Sequence, residues 1–457
     1  MLKTVYFDDH HRHKWQCFRI RLVDKTFKLW KFKMKDYLKR VSDEVIERHL
    51  KSSGAVLIEG PKWCGKTTSA MQFSKTNVLF SDPQNKDYLK SLLTLNYKAL
   101  FVGDPPILFD EWQLVPTLWD TVRFEVDNRQ EPGQFILTGS TVPPDTKDIM
   151  HSGIGRIARM QMRSMSLFES KESTGEVSLR NLFESKEVIG RNKLELPDIA
   201  YIACRGGWPS SLNREKEYSL DLPFDYINAL VNTDVSALDG TKRNKELIKK
   251  ILKSYARNVA TQASLETIRL DVIGSDDAST LSQTTLYEYI NALSSLFVIE
   301  DSPAWKPNLR SKSAIRSTPT RYFNDPSIAS AALGLGPDDL IKDLNTFGFV
   351  FENLCVRDLR VYAQALYGTI YHYRDKNSLE CDCVIHLRNG RYALIEVKLG
   401  TSEAINEGAQ NLLKLKEKLD TEKMGEPAFL MVLSGIAPFA FKRDDGVYVV
   451  PIGTLGP

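Results

Sequence analysis

The stretch AVLIEGPKWCGKT occupies residues 55–67 and decides the fold class. Residues 55–60 form an apolar run that suits a strand buried on both faces. The run leads into GPKWCGKT, which fits the pattern GxxxxGK[ST] completely, and residues 67–75 suit a helix. A strand, a glycine-rich loop and a helix in this order are typical of an α/β protein with a phosphate-binding loop.

The residue types in this loop explain how it would hold a nucleotide. Glycines let backbone N–H groups turn toward phosphate oxygens, Lys66 can reach the β and γ oxygens, and the Thr67 hydroxyl can ligate Mg²⁺. We therefore predict that ATP binds here together with Mg²⁺. The predicted contact residues are Gly60, Pro61, Lys62, Trp63, Cys64, Gly65, Lys66, Thr67 and Thr68.

A second apolar run, residues 107–109, ends in the acidic pair Asp110 and Glu111. We predict that Asp110 holds the Mg²⁺ through water and that Glu111 polarises the attacking water. An acidic pair also ends many ordinary surface strands. The intervening strand candidate at residues 78–80 favours the catalytic interpretation, because it fits the strand order of a nucleotide-binding sheet.

A third apolar run, residues 135–137, is followed by Thr138-Gly139-Ser140. A polar side chain at this point could sense the γ-phosphate, and Thr138 is the predicted contact, with Ser140 as the alternative. A simple strand-to-loop turn would give the same residues.

The composition excludes several classes of protein. The chain has 457 residues, of which 42% are hydrophobic and 26% charged, so we expect about three folded domains rather than a disordered or fibrous chain. Six cysteines without a CxxC pair do not support a disulfide framework or a Cys-based zinc site. No apolar run approaches the roughly 18 residues of a membrane span, and no signal peptide is recognisable. These features predict a cytoplasmic protein without membrane association.

The net charge of +3 hides a local imbalance. Residues 1–33 carry nine Lys and Arg against three Asp, so the remainder of the chain has a net charge of −3. A basic arm can bind nucleic acid. We favour the alternative that residues 1–33 are an appendage outside the fold, since Met34 begins a stretch with helical periodicity.

Two longer runs resemble a known family. ILFDEWQLVPTLWDTVRFEVDNRQEPGQFILTGS at residues 107–140 and HSGIGRIARMQMRSMSLFES at residues 151–170 are similar to prokaryotic AAA-type ATPases with a C-terminal domain of unknown function. The resemblance implies a P-loop ATPase of the additional-strand class, a winged-helix-like middle and a restriction-endonuclease-like α/β end. It divides the chain into an appendage (1–33), an AAA-type domain (34–210), a helical, winged-helix-like domain (211–325) and a nuclease-like domain (326–457).

The resemblance also implies a role for an arginine. Arg156 would be an arginine finger or sensor that touches the γ-phosphate, with Arg129 and Arg159 as weaker candidates. If Arg156 acted on a neighbouring copy, the protein would form a homo-oligomer. A surface arginine paired with a carboxylate is the competing interpretation.

A basic stretch at residues 302–324 contains no acidic residue. Lys306, Arg310, Lys312, Arg316 and Arg321 lie within it. Such a loop could contact the phosphates of DNA or RNA, although most charge runs are only solvated.

The C-terminal part contains Glu352, Asp382 and then Glu396-Val397-Lys398, in the order found in restriction-endonuclease-like nucleases. In that resemblance Glu352, Asp382 and Glu396 would hold Mg²⁺, and Lys398 would be catalytic by orienting water. The spacing places Glu396 and Lys398 on one face of a strand.

The turn before this strand gives a test of that arrangement. A two-residue loop Asn389-Gly390 would pair Arg388 with Arg391 and turn Asp382 away from Glu396. A three-residue loop with Gly390 in the left-handed region would pair Leu387 with Arg391 and set Asp382 opposite Glu396. We predict the three-residue loop.

Two functions remain open at this point. The first is an ATPase whose nucleotide state controls a nuclease-like, nucleic-acid-binding module. The second is an ATP-dependent switch or scaffold whose C-terminal domain recognises a partner without cleaving it.

Overall fold

The computed structural model describes residues 37–141, 153–235, 238, 241–274, 281–307 and 318–457. The basic segment 1–33 and residues 308–317 of the basic stretch 302–324 lie outside the described residues. In the part that is described, no helix combines the length and apolar character needed to cross a bilayer.

The first sheet has five parallel strands that carry the phosphate-binding loop. Its strands are β1 (Ala55–Glu59), β2 (Thr76–Leu79), β3 (Ile107–Asp110), β4 (Phe135–Gly139) and β5 (Ile157–Gln161). Their order is β2-β3-β4-β1-β5, so β4 separates the loop-bearing β1 from β3, which ends in Asp110. The strand runs predicted from the sequence are confirmed, and the additional strand places the ends of β1, β3 and β4 side by side.

Helices and short turns connect these strands. The α-helices are Ser42–Ser52, Lys66–Phe73, Lys86–Asn96 and Leu118–Arg129, and the 3-10 helices are Tyr97–Phe101 and Trp112–Leu114. Buried residues of β1 face helices on both sides of the sheet, which explains its continuous apolar run.

The helix Ser42–Ser52 starts later than its periodicity suggests. The helical pattern begins at Met34, but the helix begins at Ser42. The Asp43 carboxylate accepts hydrogen bonds from the Arg40 backbone N–H (2.9 Å) and the Tyr37 hydroxyl (2.7 Å), so it holds the preceding chain in a non-helical path. This path directs the Arg40 side chain under the phosphate-binding loop.

The middle of the chain is helical. Its α-helices are Leu179–Phe183, Leu196–Arg205, Lys216–Ala229, Lys245–Arg257, Leu265–Ile273 and Gln283–Ser295. Pro209–Ser211 is a 3-10 helix, and a π-helical turn, Leu230–Asp234, extends the helix Lys216–Ala229. After Ser295, antiparallel bridges join Ile299 to Phe323 and Ser302 to Thr320.

A second, mixed sheet of seven strands forms the C-terminal part. Its strands are β7 (Gly190–Arg191), β8 (Gly368–Arg374), β9 (Glu380–Leu387), β10 (Tyr392–Lys398), β11 (Leu430–Ser434), β12 (Phe439–Lys442) and β13 (Tyr448–Pro451), in the order β7-β12-β13-β11-β10-β9-β8. A separate pair joins β6 (Val177–Ser178) to β14 (Leu455–Gly456). The short strand β7 precedes the helix Leu196–Arg205 and the helices after it, so the chain leaves this sheet after β7 and returns to it at β8.

Two helices cover this sheet on opposite faces. Leu344–Ala365 packs on one face and Ser402–Lys418 on the other, because alternate residues of β9, β10 and β11 contact different helices. The remaining elements are the α-helices Pro326–Leu333, Pro337–Lys342 and Thr421–Met424 and the 3-10 helix Ile452–Thr454.

Candidate functional site

The phosphate-binding loop connects β1 to the helix Lys66–Phe73. Gly60 has no room for a side chain, since a Cβ there would come within 2.0 Å of the Met162 carbonyl oxygen. Gly65 (φ +99°) and Trp63 (φ +67°) both lie in the left-handed region. Left-handed residues among right-handed ones turn successive backbone N–H groups toward one point, which makes an anion-binding concavity.

Lys66 lies inside this loop. Its buried ammonium donates to the carbonyl oxygens of Gly60 (2.9 Å) and Pro61 (2.7 Å). A phosphate bound by the loop would compete with these two carbonyls for the same cation. The lysine is thus placed for the role predicted from its position in the motif.

Arg40 supports the loop from behind. Its guanidinium donates to the Cys64 carbonyl (2.8 Å) and to the buried carboxylate of Glu169 (3.0 Å). The Cys64 thiol is itself buried and points toward the Met162 carbonyl, at 3.7 Å. Cys64 can therefore offer a nucleotide only its backbone.

The acidic pair lies beside the loop, as predicted. Asp110 Oδ1 accepts hydrogen bonds from the hydroxyls of Thr67 and Thr138, each at 2.6 Å. The backbone N–H of Glu111 donates to the Thr138 hydroxyl at 3.2 Å. Thr138 therefore contacts the acidic residues directly and can affect a γ-phosphate only through them.

The Glu111 carboxylate is held by two polar side chains. The Ser140 hydroxyl donates to Glu111 Oε2 at 2.9 Å, and the Gln113 amide donates to the same oxygen. Glu111 itself has a left-handed backbone (φ +56°), which turns its side chain toward the loop. Ser140, the alternative to Thr138 in the sequence, thus positions the predicted base.

A cavity of about 960 Å³ opens next to these groups. On one side it is lined by Lys62, Trp63, Gly65, Lys66, Thr67 and Thr68, with Glu111 and Leu114 beside them. The other side is formed by Pro209, Ser210, Arg214, Leu222 and Asp225. Most residues predicted for ATP thus surround one cavity, while Asp110 and Thr138 support it from behind.

Sequence reasoning missed the second wall of this cavity. Residues 209–225 lie far from the motif in the chain, and their packing against it leaves no local signal. Arg214 is the cation on this wall, and no hydrogen bond or ion pair within the described residues involves its guanidinium. It is therefore available to an anion in the cavity.

Arg156 does not reach this cavity, which corrects the prediction for a nucleotide bound to the same chain. β1 and β5 run parallel, with Ala55 beside Ile157 and Glu59 beside Gln161. Arg156 precedes β5 and lies at the opposite end of the sheet from the loop, where it pairs with Asp127 at 2.9 Å. Contact with γ-phosphate would require a nucleotide bound to another copy.

The two weaker arginine candidates are also engaged elsewhere. Arg129 donates to the Phe101 carbonyl at 2.7 Å, and Arg159 lies over the Trp119 ring at 5.0 Å. Neither lines the cavity.

The C-terminal constellation forms with the predicted register. Leu387 N–H donates to the Arg391 carbonyl at 2.8 Å, and Gly390 is left-handed (φ +85°), so the loop has three residues. Ile395 pairs with Cys383, which sets Asp382 opposite Glu396. The predicted three-residue loop is confirmed, and Asp382, Glu396 and Lys398 share one face.

The carboxyl groups of this cluster are buried and lie close enough for their charges to affect each other's pKa. Burial, with the charge of Asp382 added, raises the pKa of Glu396 to about 8, although Lys398 opposes the shift. Burial and then Asp382 raise the pKa of Glu352 well above its usual range, and burial raises that of Asp382. The cluster holds more acidic groups than its single lysine can neutralise.

Each carboxylate already has a protein partner. Lys398 contacts Glu396 at 2.9 Å, the Val397 N–H donates to Asp382 at 2.8 Å, and the Tyr322 hydroxyl donates to Glu352. Throughout the described part of the chain, no group of three or more His, Cys, Asp or Glu side chains is placed to hold a metal ion. The three predicted ligands are therefore neighbours, but this arrangement does not fit a metal.

Arg321 is not placed to contact the phosphates of DNA or RNA, the role predicted for the basic stretch 302–324. It is buried, pairs with Asp301 at 2.5 Å and donates to the Ala263 carbonyl at 3.0 Å. Arg310, Lys312 and Arg316 lie outside the described residues.

Comparisons with known proteins agree with the geometry of the first sheet. Residues 52–171 match the family model described as an AAA domain. Residues 196–339 and 347–455 match two models described as domains of unknown function, DUF8612 and DUF4143.

Two mycobacterial proteins with curated sequences are similar to most of this chain. The uncharacterized proteins Rv2008c of Mycobacterium tuberculosis and Mb2031c of Mycobacterium bovis are each 23% identical over 372 residues, which is 80% of this chain and 75% of theirs. Among solved structures, the Walker-type ATPase PABY2304 of Pyrococcus abyssi matches with a TM-score of 0.39 and 14% identity, over 66% of this chain and 97% of that one. The family match and the loop geometry together support an AAA-type P-loop ATPase domain in this chain, followed by two regions whose families have no assigned function.

Proposed function

We propose that the protein binds and hydrolyses ATP with Mg²⁺ and that nucleotide state controls the C-terminal part of the chain. The observation that carries the proposal is the hydrogen-bonded group of Thr67, Asp110 and Thr138 beside the cavity. It joins the loop, the acidic strand end and the neighbouring strand in one arrangement.

The oxygen donors at this site suit Mg²⁺. The Thr67 hydroxyl and the Asp110 carboxylate lie 2.6 Å apart, and Mg²⁺ commonly takes one or two protein oxygens together with phosphates and water. When bound, the ion supplies charge neutralisation for the phosphates. Thr67 would ligate it directly and Asp110 through water.

The chain's own residues perform the remaining roles. Lys66 leaves the carbonyls of Gly60 and Pro61 to bind the β and γ oxygens. Glu111 accepts a proton from the attacking water, in the orientation set by Ser140 and Gln113. Arg214, from the second wall, adds positive charge near the phosphates. Arg156 acts, if the protein assembles, on the nucleotide of a neighbouring copy.

ATP turnover in a Lys66→Ala variant tests this proposal. We expect the variant to lose at least about 100-fold in turnover, because the loop loses its phosphate-binding cation. Lys51→Ala is the matched control, since Lys51 is exposed and pairs with Glu47 on its own helix. Turnover in Lys66→Ala equal to that of Lys51→Ala would refute an ATPase.

For the C-terminal part we propose nucleic-acid recognition by a nuclease-like module that does not cleave. The shared face of Asp382, Glu396 and Lys398 supports the nuclease-like fold. The three helices between Lys245 and Ser295, followed by antiparallel bridges, support the winged-helix-like interpretation of the middle. The engaged carboxylates do not fit a metal, so no cleavage step is assigned to them.

DNA binding and cleavage can be measured on the same samples. We expect binding that weakens as salt rises, because phosphate contacts release counterions, and intact plasmid after incubation with Mg²⁺ or Mn²⁺. Cleavage that is lost in Lys398→Ala would show an active nuclease instead. Absence of salt-dependent binding to DNA or RNA would favour the alternative, a module that recognises a protein partner.

A further inference from the structure

The tip of the phosphate-binding loop is joined to the middle of the chain by two side-chain contacts. Lys62 pairs with Asp234 at 2.6 Å, and the Trp63 ring meets the Tyr226 ring edge-on with centroids 5.5 Å apart. We propose that these contacts, named here the loop clasp, hold the loop in its nucleotide-binding shape and couple nucleotide binding to docking of residues 216–234. This inference rests on the proposed nucleotide site.

The backbone of Trp63 is the part of the loop that needs support. A left-handed conformation (φ +67°) is unfavourable for a large aromatic residue and persists only where surrounding contacts enforce it. The same conformation turns the loop N–H groups inward for phosphate. Contacts that hold Trp63 therefore also hold the anion-binding shape.

The ring of Trp63 has a rigid partner. Trp63 is 44% exposed, and its ring packs on Tyr226, which is buried and stacks on the buried Trp208 at 4.9 Å. Trp208 in turn donates a hydrogen bond to the Ser327 hydroxyl at 3.0 Å. The tip of the loop thus packs on a buried aromatic stack rather than on exposed side chains.

The ion pair completes the clasp at the neighbouring residue. Asp234 ends the π-helical turn Leu230–Asp234, and its side chain is 13% exposed while that of Lys62 is 45% exposed. π-helical turns cost stability and occur frequently at functional sites. Here the turn brings the Asp234 carboxylate toward the loop.

Residues 216–234 therefore meet the nucleotide site in two ways. Leu222 and Asp225 line the cavity, while Tyr226 and Asp234 hold the loop tip. If docking of this segment raises nucleotide affinity, nucleotide must stabilise the docking by the same factor. The clasp thus provides a route from nucleotide occupancy to the middle of the chain.

The first test measures MgADP affinity by calorimetry in the full chain. We expect Asp234→Asn to bind about threefold more weakly, as suits a partly exposed ion pair. The matched control is Asp271→Asn, which removes the ion pair of Asp271 with Arg257 (2.7 Å) in the same part of the chain and leaves the loop untouched. Equal affinities in the wild type, Asp234→Asn and Asp271→Asn would overturn the clasp.

The second test separates the Trp63 backbone from its ring. Trp63→Ala loses both the ring contact and the support for the left-handed backbone, so we expect about tenfold weaker MgADP binding. Trp63→Gly loses the ring but adopts the left-handed conformation readily, and we expect a loss of about threefold. Glycine as damaging as alanine, or more so, would contradict a role for the backbone conformation.

The third test measures the reverse effect by hydrogen exchange over residues 216–234. MgADP should slow exchange in this segment of the wild type, and by less in Asp234→Asn. An unchanged segment in a wild type that binds MgADP would overturn the coupling alone. A wild type that binds no MgADP and turns over no ATP would instead refute the proposed nucleotide site.

Discussion

The nucleotide site and the C-terminal cluster are both built from acidic residues on buried strands, but they differ in what surrounds the acids. Asp110 and Glu111 accept hydrogen bonds from neutral side chains and stand beside a cavity of about 960 Å³. Asp382 and Glu396 face each other and a lysine beneath a helix. One site opens on a cavity, and the other packs against the helix Ser402–Lys418.

Gly408 shows how closely the helix packs on the second site. This residue of the helix Ser402–Lys418 lies so close that a Cβ would come within 3.3 Å of Lys398 Cε and 3.4 Å of Glu396 Cβ. The cluster is therefore covered as well as crowded. The comparison teaches that acidic residues in a catalytic order indicate a reaction more strongly where a cavity lies beside them.

Replacing one glutamate in each site should give the largest contrast. We expect Glu111→Gln to lower ATP turnover about 1000-fold, because the amide cannot accept a proton, with MgADP affinity nearly unchanged. Glu396→Gln should leave ATP turnover at the wild-type level. A comparable loss of turnover in both variants would show that the two sites act together in hydrolysis.

Removing the cation of the C-terminal cluster should affect stability rather than turnover. Lys398 is 26% exposed and contacts Glu396, so Lys398→Met leaves buried carboxylates without their cation. We expect a loss of about 3 kcal/mol in the free energy of unfolding, measured with denaturant. Lys418→Met, which breaks the more exposed pair with Asp375 (2.8 Å), is the control and should cost less than about 1 kcal/mol. Equal losses in the two variants would mean that the Lys398 ammonium does not stabilise the fold by compensating the charge of the buried carboxylates.

Glu300 gives the opposite case, one carboxylate between two arginines. Burial alone would raise its pKa, but Arg163 (2.6 Å) and Arg360 (3.7 Å) outweigh burial and lower it to about 2. We expect Glu300→Gln to lose about 2 kcal/mol at neutral pH, since the side chain is 20% exposed and the arginines lose their partner.

The pH dependence of this loss follows from the lowered pKa. The stabilisation by Glu300 is complete above the ordinary pKa of a glutamate and disappears as pH falls toward 2, because the folded state must then take up the proton. Unfolding measured from pH 7 to pH 3 should therefore show the wild type approaching Glu300→Gln. If the difference in unfolding free energy between the wild type and Glu300→Gln stayed constant over this pH range, the charge of Glu300 would not be its cause. Glu246→Gln, which removes an exposed ion pair with Lys249, is the control.

Features that depend on neighbouring residues could be predicted from the sequence. The loop and its strand follow from a continuous motif. The Asn389-Gly390 turn allowed two registers of β9 and β10, and the three-residue loop was preferred because only that loop sets Asp382 opposite Glu396. The hydrogen bonds that Tyr322 and Val397 donate to Glu352 and Asp382, and the covering helix Ser402–Lys418, could not be predicted from the turn.

Features that depend on distant packing could not be predicted. Arg214 enters the cavity only because residues 209–225 pack against the loop, and Arg321 is buried by Asp301 rather than exposed. Arg156 was assigned by resemblance, but the parallel pairing of β1 and β5 places it at the far end of the sheet. In each case the sequence showed an arginine that could bind phosphate, but its position in the folded chain determines whether it can reach a phosphate.

The smallest expected effect concerns the residues that position Glu111. Ser140→Ala removes one of the two donors to Glu111 Oε2 and leaves Gln113, so we expect turnover to fall about threefold, a loss of the size of one neutral hydrogen bond. Ser74→Ala, which removes a hydroxyl bonded to Asn77 (2.6 Å) in the same domain, is the control and should be silent. Because Ser140 acts only by orienting the Glu111 carboxylate, adding Ser140→Ala to Glu111→Gln should cause no further loss of turnover. A full additional loss in the double variant would mean that the Ser140 hydroxyl contacts the nucleotide or the attacking water directly.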